Sequence, residues 1–572
     1  MSSAPSPPTP VSSGQAEASG DASPPSVRSF KGPAGLPPAI MFQGTCSNAG
    51  KSLLTAALCR LLARQGIRVV PFKAQNMALN SFVTADGKEM GRAQALQAAA
   101  CGLAADVRMN PVLLKPTSNT GSQVIVLGEP VGQMRVGAYL RYKPEAWKAV
   151  RRAYRSLAAE ADVVVLEGAG SPAEINLKAH DIVNMRMARY ARAHVALVAD
   201  IDRGGAFAAL AGTMALLTRA ERARVAGFIL NKFRGDPTLL DPALHSLTRR
   251  TGKPFWGVVP MLENLRLPEE DSVSFKLGIT PGLSMGQGRA ADAEALDMVV
   301  PDLPHISNAT DLDALRQEHG LRLRIVRSGE DWGHPHVVIV PGSRNTVADL
   351  RFLRATGLAD AITRFARTAL EEKRGALVGI CGGLQMLGSV IDDPLGLEEG
   401  GLERGLGILP LKTRLEADKK LLRVTGRACV CLTANPPEQC IDSAAAGGLM
   451  AHAQEVEGYE IHHGRTAPLP EVADEEAHAR NPRVVLADAA GRPLGWGLCD
   501  AAGRARVWGS YVHGLFDADA FRHAFLSSLR RDCGMPPLEG SPYALGPELD
   551  RLADCVENSL DMAAIYGLLG LC

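Results

Sequence analysis

Between residues 38 and 265 the chain repeatedly breaks its helical patterns with short runs that carry no polar alternation. The runs are Val69-Val-Pro-Phe72, Val163-Val-Val-Leu166, Val195-Ala-Leu-Val-Ala199, Gly227-Phe-Ile-Leu230 and Gly257-Val-Val-Pro260, with Pro38-Ala-Ile-Met-Phe-Gln43 opening the series. A strand that is apolar on both sides must be covered on both faces, and gaps of roughly 20–35 residues, with a longer one between Phe72 and Val163, leave room for crossover helices. The pattern predicts an α/β fold built on a parallel sheet. A second series, Leu321–Val326, Val337–Val340 and Ala376–Ile380, predicts a second α/β unit.

The rest of the chain divides around these two units. Residues 1–36 are rich in Ser, Pro, Ala and Gly and bury too little surface to offset their ordering entropy, so a disordered tail is expected, not a signal peptide. The first unit is read as 37–265, then a Gly/Pro/Met-rich linker over 266–320 with one or two short strands. The second unit is read as 321–530, with surface insertions at 433–454 and 467–482 and a helical segment over 531–572. With 62 Lys+Arg against 61 Asp+Glu there is no global field to hold nucleic acid or an anionic membrane. No stretch of 18 apolar residues predicts a membrane span. The 11 cysteines are scattered, without C-x-x-C spacing, which argues against a disulfide or zinc framework and for a reducing cytoplasm.

Gly44-Thr45-Cys-Ser-Asn-Ala-Gly50-Lys51-Ser52 lies between an apolar strand and the helical stretch beginning at Leu53. Glycines let loop N–H groups face a phosphate, and the helix N-terminus adds its dipole. Lys51 is expected to reach the outer phosphates of a nucleotide and the Ser52 hydroxyl to bind Mg2+. Glu167, closing a strand at its carboxyl end, is the first carboxylate expected at that metal; Asp181, Glu89, Asp200 and Asp202 are further candidates. Lys73 follows a strand and is read as a charge clamp in the same site. Asn231-Lys-Phe-Arg234 lacks the acid that selects guanine, so ATP is the expected nucleotide, with Asn231 near its base.

Gly379-Ile-Cys381-Gly382-Gly383-Leu-Gln385 follows the strand at 376–380 and has the small-residue form of a strand-to-helix turn that exposes a nucleophile. A helix N-terminus favours a negative sulfur there. His513, at the end of a strand and beside Gly514, is the candidate base. Gly342, in the loop after Val337–Val340, and Gly382 are expected to offer N–H groups to an oxyanion, and Gln385 to help bind glutamine.

The glycine loop, with five residues between its glycines instead of four, resembles that of dethiobiotin synthetase and its relatives. Cys381, His513 and the glycine turn resemble the class I glutamine amidotransferase (triad glutaminase) domain. That family's usual His-x-Glu ending is absent: the residue two past His513 is Leu515, as in the cobyrinate/cobyric acid branch, and Glu460 is a candidate to orient the histidine instead. The two halves together resemble the cobyric acid synthase family over about residues 38–530. The resemblance is carried by Pro71–Ser81, Gly87–Gln94, Arg108–Thr117, Leu166–Leu177 and Ala199–Gly205. It implies a P-loop, dethiobiotin-synthetase-like domain followed by a class I glutaminase domain. It further implies ATP- and glutamine-dependent amidation of the b, d, e and g carboxylates of adenosylcobyrinic acid a,c-diamide, with ATP and Mg2+ required. Three rivals stand beside it. One is another two-module amidotransferase, such as the a,c-diamide synthase. The second is a partitioning-type P-loop ATPase, although Thr45-Cys46-Ser47 lacks that group's early second lysine. The third is a cysteine hydrolase with a nucleotide-binding front half.

Overall fold

Alternation of side chains along the first-unit strands sorts the apolar residues into two cores. The computed structural model describes residues 35–118, 121–268, 295–434, 453–470 and 481–571; residues 1–34 of the expected tail and most of both insertions lie outside them. Six strands run in the order Phe255–Pro260, Val225–Phe233, His194–Asp200, Ala39–Gly44, Val163–Glu167, Val69–Phe72, every neighbour parallel. Ile40, Phe42, Val163 and Val165 face one core, shared with helix Lys51–Arg64. Met41, Val164 and Leu166 face the other, shared with helix Val136–Glu160. All are buried, and each such side chain stabilises the fold by about 1.5–3 kcal/mol.

The second unit is an 11-stranded sheet. Its parallel part runs Leu321–Val326, Leu296–Pro301, Val337–Val340, Ala376–Ile380, Ala505–Ser510. Antiparallel strands continue it through Pro493–Cys499 to a long hairpin of Leu411–Ala428 with Gln454–Pro468.

Two expected boundaries are corrected. The strand Leu296–Pro301 lies inside the second sheet, so that unit begins at 296 and not near 321; of the expected linker, residues 269–294 lie outside the described residues. The C-terminal segment does not form a separate element. Helix Leu545–Ser559 returns to the first unit, where Leu549, Leu552 and Val556 join the core of helix Lys51–Arg64 and Asp550 pairs with Arg60 at 2.7 Å. Among the described residues no helix is long and apolar enough to cross a membrane, and all nine cysteines are free.

Candidate active site

The glycine loop leaves its strand at Gly44, where the N–H of Thr45 still donates to Val198 O at 2.9 Å. Gly50 has φ +94, and any Cβ there would strike the side-chain amide of Asn231. Asn231 is buried and donates to Ala49 O at 2.9 Å. It therefore braces the loop from beneath. Lys51 Nζ arches over the loop to Cys46 O at 3.0 Å, leaving no room for a side chain at Gly44.

Parallel pairing sets Glu167 beside Phe42, next to the loop. Its Oε1 accepts from Ser52 Oγ at 2.8 Å and Lys73 Nζ at 2.7 Å, and its Oε2 from Gln97 at 2.6 Å. Ser52 and Lys73 thus converge on Glu167, with Gln97 a further partner not singled out in the sequence. A hydroxyl and a carboxylate oxygen beside a phosphate loop are hard-oxygen donors of the kind Mg2+ takes. Among the described residues no three His, Cys, Asp or Glu side chains cluster to hold a metal, so other ligands would come from phosphate and water. Asp181 lines the same cavity, but its carboxylate caps the N–H groups of Val183, Asn184 and Arg186. Asp200 and Asp202 are taken by Lys232 and Arg234.

Glu89 is not at this site, which corrects its expected place at the metal. It is buried between the two units, accepting from Ser81 Oγ at 2.9 Å, from Lys115 at 2.7 Å and from Lys419 of the second unit at 2.5 Å. Four residues of Leu411–Ala428 bulge opposite a single partner residue, between the pairs Leu415↔Gly464 and Lys420↔His462, and that bulge carries Lys419 inward. Burial pushes Lys115 down to about 7 although Glu89 opposes it. Against burial, the two ammonium groups hold Glu89 far below the usual carboxylate range. Glu89→Gln would leave two buried ammonium groups facing a neutral amide, a change costing about 3–5 kcal/mol. A clear fall in melting temperature is expected, and an unchanged one would contradict the ion cluster.

Cys381 sits at the junction of strand Ala376–Ile380 and helix Gly382–Leu387 with φ +50 and ψ −102. A non-glycine residue held there stores strain, as nucleophile turns do. The turn is crowded: a Cβ at Gly382 would lie 2.7 Å from the N of Ser343, and one at Gly383 would strike Val340 O. Gly342 lies beside His513, whose Cε1 would be 3.3 Å from a Cβ on it. Gln385, one turn into the helix, accepts from Thr346 at 3.1 Å and donates to Tyr511 at 3.2 Å, and so stiffens the wall of the site.

His513 is buried, with Nδ1 2.7 Å from Asp311 Oδ2, while Asp311 Oδ1 accepts the N–H of Gly514 at 2.8 Å. Asp311, from the stretch read as linker, therefore holds the imidazole. Glu460 does not: it binds His462 at 3.1 Å and Arg492 at 2.7 Å. Burial would lower the imidazole pKa, but the Asp311 carboxylate and the Cys381 sulfur raise it to about 10. The folded value exceeds the ordinary 6.5, so this pairing stabilises the protein fully below about pH 6.5 and loses that contribution as pH rises towards about 10. Tyr459 stacks on His513 with ring centroids 5.4 Å apart and donates to Ser81 O of the first unit at 3.2 Å. Asn308, beside the Asp311 turn, accepts from Ser81 N at 3.0 Å, and Asn80 accepts from Ala309 N at 3.2 Å. The thiol site is thus docked directly on the first unit. A thiol, an imidazole and a carboxylate in sequence, with loop N–H groups alongside, can open an amide through a thioester.

Comparison with known proteins agrees with both halves. The family model of the CobQ/CobB/MinD/ParA nucleotide binding domain matches residues 40–275, and that of the CobB/CobQ-like glutamine amidotransferase domain matches 297–521. A cobyric acid synthase of Nitratidesulfovibrio vulgaris is 53% identical, covering 93% of this chain and 98% of its own. One from Sorangium cellulosum is 47% identical, covering 93% and 98%. The adenosylcobalamin biosynthesis bifunctional protein CobDQ of Leptospira interrogans is 47% identical over 93% of this chain and 57% of its own. The nucleotide-binding model also covers partitioning ATPases, but a second module with its own thiol site, and relatives that span both modules, exclude a lone switch ATPase. By both modules, in this order, and by relatives matched along nearly their whole length, the chain belongs to the cobyric acid synthase family of glutamine-hydrolysing ligases.

Proposed function

We propose that the protein amidates the b, d, e and g side-chain carboxylates of adenosylcobyrinic acid a,c-diamide to give adenosylcobyric acid, using one glutamine and one ATP per amide. The observation that carries this reading is the pairing on one chain of the Cys381–His513–Asp311 array with the Lys51–Ser52–Glu167 loop site. A reducing cytoplasm suits it, since all nine described cysteines are free.

In the glutaminase half, the Cys381 sulfur attacks the side-chain amide carbon of glutamine, and the oxyanion faces the N–H groups of Gly382 and the Gly342 loop. His513 gives its proton to the departing nitrogen, so ammonia leaves and a thioester remains. Water then attacks the thioester carbon, releasing glutamate and restoring the thiol. Asp311 keeps the imidazole in the tautomer and orientation this requires, and Tyr459 covers its face. In the other half, an acceptor carboxylate attacks the γ-phosphorus of ATP and ADP leaves, with Lys51 and Lys73 offsetting the transferring charge. Mg2+ held by Ser52 and Glu167 would supply further charge neutralisation on the phosphate oxygens. Ammonia adds to the acyl phosphate carbon and inorganic phosphate departs, leaving the amide.

The test is to incubate the protein with the diamide, glutamine, ATP and Mg2+ and to count added nitrogens by mass. Four are expected; none would defeat the reading, and addition only to cobyrinic acid at a and c would assign the a,c-diamide synthase instead. Asp311→Asn is expected to lower glutaminase turnover by about 10²–10⁴-fold. It should also flatten the decline of thermal stability between about pH 6.5 and 10 that the His513 pairing produces. Wild-type turnover in this variant would remove Asp311 from the array.

A further inference from the structure

From the glycine loop a single cavity of about 1230 Å³ runs outward past Ser47, Lys51 and Lys73 to a wall formed by helices Met185–Ala191 and Arg219–Arg224. That exceeds the roughly 300–1,000 Å³ of common small-molecule sites. The far wall carries no part of the phosphate loop. There Arg186, Arg189 and Arg224 line the cavity with Lys143. Among the described residues none of the three arginines is ion-paired with a carboxylate. Arg186 is oriented by stacking over Trp147 at 4.7 Å. Arg224 is crowded by like charge: burial and then Arg189 and Arg192 weaken its hold on its proton. Seven Lys and Arg side chains line the cavity against three carboxylates, one of which, Glu221, is bound by Lys178 at 2.7 Å. At the lip, Met77 and Leu177 are 53% and 54% exposed although they belong to the cavity lining. Exposed apolar side chains beside unpaired cations describe a ligand that is flat and apolar in its body and anionic at its edge.

We infer that this wall is the acceptor site, with Arg186, Arg189 and Arg224 binding peripheral carboxylates of a polycarboxylated macrocycle while Met77 and Leu177 cover its apolar face. The assignment rests on the proposed function, from which the acceptor class is taken. It explains how one centre serves several carboxylates. The arginines hold those not reacting, and the ring is re-seated to bring the next one to the Lys51 and Lys73 end.

The test uses the full-length enzyme with ammonium as nitrogen source, so that the thiol site drops out of the readout. Arg189→Gln and Arg224→Gln are each expected to raise the acceptor KM about tenfold, as loss of one charged hydrogen bond does. The KM for ATP should stay within about twofold. The wild-type acceptor KM should rise with added KCl, and less steeply in the double variant, because fewer ionic contacts remain to be screened. Arg189→Lys, which keeps the charge, should recover most of the loss. Arg189 is exposed, and half-buried Arg224 has, among the described residues, no carboxylate partner to lose, so unchanged melting temperatures are expected and are checked beside the kinetics. Unchanged acceptor KM and salt dependence in the double variant, with amidation intact, would overturn the site. A wild-type enzyme that adds no nitrogen to the diamide would instead overturn the function.

Discussion

Cys381→Ser is expected to lower glutamine-dependent synthesis by at least about 10⁴-fold while leaving synthesis from free ammonium in place. The hydroxyl keeps nearly the size of the thiol and fits the same crowded turn, where Gly382 and Gly383 press against Ser343 and Val340. The architecture should therefore survive. What is lost is the sulfur nucleophile; a hydroxyl oxygen in its place attacks an amide carbon far more slowly and leaves a thioester-forming site without its thiol. Comparing product formation from glutamine and from ammonium chloride checks both halves of this expectation. Product from glutamine at an undiminished rate would take the nucleophile away from Cys381. Failure with ammonium as well would show that the thiol supports the ATP half.

Lys51→Ala is expected to abolish synthesis from either nitrogen source, by about 10³-fold or more. Lys51 is buried to 6% exposure over the glycine loop, 3.0 Å from Cys46 O, and it shares its cavity with Lys73. Lys73, the other cation that offsets charge on a transferring phosphoryl group, is anchored to Glu167 at 2.7 Å and so does not take the place of Lys51 over the loop. Alanine also opens the space that Gly44 leaves for the lysine stem, so no neighbour replaces the ammonium group. Steady-state rates with glutamine and with ammonium should fall together. Rescue of Lys51→Ala by ammonium would mean that the loop does not serve acyl activation. Together the two substitutions give opposite patterns with ammonium, which assigns each centre its own step.

Much of this was legible in the sequence, because the legible parts are local. A strand that ends in Gly-x5-Gly-Lys-Ser, or in Gly-Ile-Cys-Gly-Gly, determines the turn that follows it whatever the rest of the chain does. Glu167 and Lys73 could be placed because strand ends in a parallel sheet meet at one edge. The misread residues depend on distant partners. Asp311 sits 202 residues before His513 in a stretch with no turn signature, and an acid there looks like any surface acid. Glu460, the candidate partner for His513, is turned by the hairpin towards Arg492 and His462. Glu89 and Lys419 are 330 residues apart, and only docking of the two units buries them together.

The sequence by itself determined the two α/β units, the glycine loop with Lys51 and Ser52, and the cysteine turn, since backbone constraints within a few residues dictate each. Only the tertiary structure decided which carboxylate serves His513, that the C-terminal helix belongs to the first unit, and that unpaired arginines share a cavity with the loop. Those outcomes follow from which surfaces bury together, and burial is what turns an unremarkable acid or base into a paired one.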